Sequence, residues 1–97
     1  MVDRASLASP AEAKKEPLFE GGLRTVRVTL EEDGRIAEHN HPGTEILFFV
    51  VEGGLELSLD DENYELEQGD LVRFEGERTI SGRAGEPTTA LVVPVDR

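Results

Sequence analysis

The stretch "HNHPGTEILFFVVEGG", His39 to Gly54, decides how this chain is read. Its centre, "EILFFVVE", is apolar on both faces and bounded by turn residues at Pro42–Gly43 and Gly53–Gly54, the pattern of a strand that must be covered twice. Ahead of it stand the only two histidines of the chain, His39 and His41, and then Glu45. Residues i and i+2 of a strand share a face, so the two imidazoles project together. Glu45 opens the next strand close enough to join them. Two neutral imidazoles and one carboxylate make a three-point facial site for a divalent metal ion with open positions, suited to Fe, Mn, Ni or Zn. Phase with these ligands assigns Glu45, Leu47, Phe49 and Val51 to the interior and turns Ile46, Phe48 and Val50 outward. Three large apolar side chains on an outer face predict a homodimer through this sheet.

Working outward, short strands alternate with turn residues and nothing sustains helical spacing. "LRTVRVTL" sets Val26, Val28 and Leu30 against Thr25, Arg27 and Thr29, the period of a half-buried strand. Asp33–Gly34 is a hairpin signal leading to "RIAEHNH". On the other side, "GGLELSLDDENYELEQGD" carries Leu55, Leu57 and Leu59 out and returns through Tyr64 and Leu66, a hairpin with one wet face. "LVRF", "RTIS" and "TTALVVPV" complete roughly eight strands, an all-β sandwich or barrel. Residues 1–17 read as an N-terminal arm, partly flexible or a short helix capped by Ser9 with Pro10 and Glu12 in its first turn. Residues 18–97 read as a single barrel domain.

Ninety-seven residues suffice for one domain. Cysteine is absent, which excludes disulfides and thiolate metal sites. No apolar run approaches the roughly 18 residues of a membrane span, and the start of the chain lacks the apolar stretch of a secretory signal. The expectation is a soluble, cytoplasmic protein. Asp plus Glu number 21 against 10 Lys plus Arg, a net charge of −11. That balance disfavours nucleic acid, which needs a basic stripe to displace counterions. It keeps a protein soluble and suits a high-salt, halophile-like habitat, where self-repulsion is screened. The acidic turn "DDEN" lacks the spacing of a calcium loop, and Arg73 and Arg83 read as members of surface ion pairs.

"HNHPGTE", followed by a hydrophobic strand and "EGG", resembles the first motif of the cupin family. "LEQGDLVRFEGERTISGRAGEPTTALVVPV" resembles the second, so the likeness runs over about residues 20–95. The resemblance implies a small jelly-roll barrel, a double-stranded β-helix, with His39, His41 and Glu45 as metal ligands. Three departures stand out. Four residues separate Gly34 from His39 where the family has five, and seven separate Glu45 from Gly53 where it has six, shifts a β-bulge would absorb. The family's last histidine falls on Ile80, and its following asparagine on Ala84, so a four-ligand site is excluded. The implied function is a small metal-binding cupin that takes a small-molecule ligand or substrate. As an enzyme it would be an isomerase, hydrolase or dioxygenase, with the metal acting as a Lewis acid or binding O₂ beside the substrate. Ile80 argues for the rival reading, a non-enzymatic small-molecule-binding or interaction barrel whose metal site has lapsed.

Overall fold

A computed structural model describes residues 4–19 and 24–97. Among the described residues there are nine strands: β1 (Lys15–Pro17), β2 (Val26–Leu30), β3 (Arg35–His39), β4 (Thr44–Glu52), β5 (Gly54–Leu59), β6 (Glu62–Glu67), β7 (Leu71–Glu75), β8 (Ile80–Ala84) and β9 (Thr88–Asp96). They form two sheets, one in the order β1-β2-β9-β4-β7 and the other β3-β8-β5-β6, and the paired strands run antiparallel. The strand pattern leads to an all-β sandwich or barrel, and this is the jelly-roll that the cupin resemblance implies. Each sheet presents an apolar inner face, and the two close on one core. Among the described residues, no helix is long and apolar enough to cross a membrane.

The core is built by alternation. Leu55, Leu57 and Leu59 of β5 are buried while Glu56 faces solvent. In β4 the buried set is Ile46, Phe48 and Val50, with Phe48 1 % exposed. This reverses the phase expected from the sequence: Ile46, Phe48 and Val50 point into the sandwich, and Glu45, Leu47, Phe49 and Val51 lie on the outward face. The physical reason is the carboxylate. Either phase buries three large apolar side chains, but the other would also carry Glu45 into a core with no charge to pair it, at a cost of several kcal/mol. A register shift between Val50 and Glu52 marks the bulge where β4 leaves its regular pairing with β9. At Gly53, where the chain crosses from one sheet to the other, φ is +84° and a Cβ would lie 2.2 Å from the Pro87 carbonyl oxygen. Only glycine fits that crossing.

Two local expectations give way to longer-range pairing. Asp33–Gly34 does not close a hairpin, because β2 pairs with β1 and β9 while β3 pairs with β8 in the opposite sheet. The turn is a corner tied to β8: Asp33 N–H donates to the Ala84 carbonyl (2.9 Å) and Ala84 N–H to that of Gly34 (2.9 Å). The arm is not helical around Ser9. The buried guanidinium of Arg27 donates to the Ser9 carbonyl (2.9 Å) and the Pro10 carbonyl (3.5 Å) and pairs with Glu16 (Nε–Oε1 3.0 Å). A helix capped at Ser9 would need that first carbonyl for its own N–H. Because β1 joins the sheet, the folded body begins at Lys15 rather than at residue 18.

Candidate functional site

Both histidines lie at one end of the sandwich, where β3 finishes and β4, after the Pro42–Gly43 turn, begins. His39 is the last residue of β3 and lies opposite Ile80 of β8, after a register shift that starts at Ile36. Its Nδ1 lies 2.7 Å from the Ala37 carbonyl; a carbonyl can only accept, so Nδ1 is the donor and Nε2 faces away from this contact. His41 is held through its backbone. Its N–H donates to the Gly76 carbonyl (2.7 Å) and its carbonyl accepts from Thr44 Oγ1 (2.6 Å). Gly76 fits tightly beneath this loop, since a Cβ there would come within 2.2 Å of the His41 carbonyl oxygen. The two rings meet edge to face, centroids 4.8 Å apart at 82°.

The turn between them and β4 is braced by residues that the sequence reading did not single out. Glu77 Oε2 accepts from Gly43 N–H (2.8 Å), the Arg97 guanidinium pairs with Glu77, and Arg97 N–H donates to the Gly43 carbonyl (3.0 Å). The Gly43 hydrogen bond, then that from its own backbone N–H, and after these Arg97, hold the Glu77 carboxyl below its ordinary pKa. No short motif marks this brace, because it joins three distant parts of the chain.

Glu45 does not join the histidines. It sits on the outward face of β4 and pairs with Arg73 of β7 (Nε–Oε1 3.0 Å), a largely solvent-exposed ion pair worth at most about 1 kcal/mol. Arg83 likewise pairs with Asp33 at the surface (2.7 Å). Among the described residues, no three His, Asp or Glu side chains come together to hold a metal ion. The two imidazoles thus stand together without a carboxylate beside them. The signal for this was in the spacing. Six residues before Gly53, the family's interval, fall between that glycine and Ile46, not Glu45. Ile46 is the inward side chain, 2 % exposed, and Ile80, at the last ligand position, is 6 % exposed.

Partial burial, then the neighbouring charge of His39 and those of Lys15 and Arg24, push the His41 pKa below its ordinary 6.5. The folded state therefore binds this proton less readily than the unfolded chain. The stabilisation that follows is complete above about pH 6.5 and is lost as the pH falls from there to the folded-state pKa. His41→Gln is expected to flatten the fall in melting temperature between about pH 7 and 5; an unchanged profile would assign that fall to other groups.

Comparison with known proteins points one way. The family model described as Cupin domain matches residues 26–93. The fold is shared with an RmlC-like cupin protein from Desulfovibrio desulfuricans (TM-score 0.85, 20 % identity, covering 98 % of this chain and 96 % of the other). It is also shared with KdgF from a Halomonas species (0.77, 21 %, 86 % and 77 %). A third likeness is to a predicted oxalate decarboxylase from Thermotoga maritima (0.78, 14 %, 86 % and 79 %). No curated protein matches.

Proposed function

Since this chain belongs to the cupin family by the match over residues 26–93, we propose that it is a cupin whose metal centre has lapsed and that it works as a non-enzymatic binding module. The observation that carries this reading is the pair Ile46 and Ile80, buried side chains at the two inner positions where the family spacing calls for a carboxylate and an imidazole. Neither can ligate. Both belong to a continuous core with Phe48, Leu57, Leu59 and Phe74, so the space a metal and its substrate would use is filled with packed aliphatic and aromatic groups. The opening beside Leu57, Leu59, Tyr64, Val72 and Phe74 measures about 130 Å³. Sites for drug-sized ligands begin at about 300 Å³. Recognition of a partner or ligand is then a task for the outer surfaces.

A second reading keeps the metal on His39 and His41, whose rings are adjacent and whose Nε2 atoms carry lone pairs when Nδ1 is protonated, with Glu45 as third ligand. It requires Glu45 to leave Arg73 and reach the other face of β4. Melting before and after exhaustive chelation separates the two. The lapsed-site reading expects the same melting temperature within about 1 °C, because nothing that stabilises the fold has been removed. A drop of several degrees, reversed by adding back one divalent metal, would favour the triad.

A further inference from the structure

In a chain with 21 acidic residues and 10 basic ones, a cation without a carboxylate beside it stands out. Arg24, Arg27, Arg73, Arg78, Arg83 and Arg97 each pair with an Asp or Glu. Among the described residues Arg35 and Lys14 have no such partner, and both line one open groove of about 630 Å³ along the outer face of the β3-β8-β5-β6 sheet. Arg83 lines it too. Arg35 stands directly opposite Arg83 across β3 and β8, a like-charge pair that costs stability when no anion lies between its members. Asp33 answers Arg83 at one nitrogen of its fork (2.7 Å). Lys14 is brought to the same place by the arm: its Nζ donates to the Arg35 carbonyl, and its own carbonyl accepts from Thr29 N–H (2.8 Å). The arm that Arg27 fastens to β2 thus supplies a third cation.

We propose that this groove binds a small hydroxylated molecule carrying one oxyanion group, a phosphate or a carboxylate, an inference that rests on the reading of the chain as a binding module working through its outer surfaces. Guanidinium forks match the geometry of either oxyanion, and the Lys14 ammonium adds a point charge. Next to the cations the floor is low. Ala37, Ser58 and Ser81 are short side chains, and Ser81 lies opposite Ser58 on β8 and β5. Ser58 Oγ donates to Asn63 Oδ1 (2.7 Å), which leaves its lone pairs for a hydroxyl of the ligand. Glu38 and Glu56 also line the groove, and Glu56 lies across from Arg83 on the β5 side. These carboxylates accept from hydroxyl groups and repel a second anionic centre, so the ligand carries one oxyanion and not several. Two strand spacings of about 4.8 Å separate β3 from β5, so the body of the ligand spans about 10 Å at most. A merely solvated face would set a carboxylate against Arg35, as is done for Arg27, Arg73 and Arg83.

Amide NMR titration of the full chain with glycerol phosphate and with gluconate, at constant ionic strength, tests it. The expected result is saturable shifts at Arg35, Ser58, Ser81 and Arg83, with a Kd of about 1 mM or below for at least one probe. The tighter probe identifies the oxyanion as phosphate or carboxylate. Arg35→Gln should weaken binding about tenfold or more, as loss of a charge-assisted fork does. Arg73→Gln, in an ion pair on the other sheet, should leave it unchanged. Should Arg35→Gln fail to fold, Lys14→Gln takes its place. Shifts that never saturate with either probe would overturn the inference, as would an unchanged Kd in the folded Arg35→Gln or Lys14→Gln variant. Saturable shifts confined to the His39–His41 end would overturn the groove and leave the binding-module reading standing, since metal content judges that reading separately.

Discussion

Replacing Ile46 by glutamate together with Ile80 by histidine is expected to turn this barrel into a metal-dependent fold. Ile46 and Ile80 lie in one buried core, and Ile80 is paired with His39 across β3 and β8. The double variant adds an inward carboxylate and an imidazole to the two histidines already present, a four-donor set of the kind that holds a divalent ion. Without metal it should be destabilised by several kcal/mol, because a carboxylate buried among aliphatic side chains has nothing to pair with. With zinc, nickel or manganese at about a thousand times the dissociation constant, about 4 kcal/mol should return. Melting curves with and without each metal check this, and Ile80→His alone is the milder companion should the apo double variant not fold. If the folded variants melt identically with and without metal, Ile46 and Ile80 do not occupy the positions assigned to them.

Phe48→Ala is expected to cost about 3–5 kcal/mol, the range for truncating a buried aromatic side chain. That is a large share of the 5–15 kcal/mol that stabilises a typical domain. Phe49→Ala, one residue on, should cost far less in dilute protein, since Phe49 lies half-buried on the outer face. Denaturant titration of the two variants side by side reads the phase of β4 directly. If Phe49→Ala proved the more damaging, Glu45 would be returned to the interior beside the histidines.

The strands with one wet face were legible because alternation names the inward side. Val26, Val28 and Leu30 in β2 and Leu55, Leu57 and Leu59 in β5 leave no choice, and the number and spacing of such strands give an all-β sandwich or barrel, which the family resemblance narrows to a jelly-roll. In β4 alternation is silent, since "ILFFVV" is apolar at every position. The phase then rested on treating Glu45 as a ligand, which placed three side chains on the wrong face and the carboxylate on the wrong side of the sheet. The seven-residue interval to Gly53, one more than the family uses, held the correction. The Asp33–Gly34 corner and the non-helical arm were illegible for another reason. Both are decided by partners far along the chain, Ala84 for the corner and Arg27 for the arm, which no local signal reports.

A barrel that held a metal through His39, His41 and Glu45 would differ in metal content from one whose centre has lapsed. Elemental analysis of untagged wild type and Glu45→Ala, purified side by side and dialysed against metal-free buffer, tests this most directly. The lapsed-site reading predicts clearly substoichiometric metal in both proteins, with no difference between them, because Glu45 pairs with Arg73 at the surface. About one metal ion per wild-type chain, lost in Glu45→Ala, would contradict it.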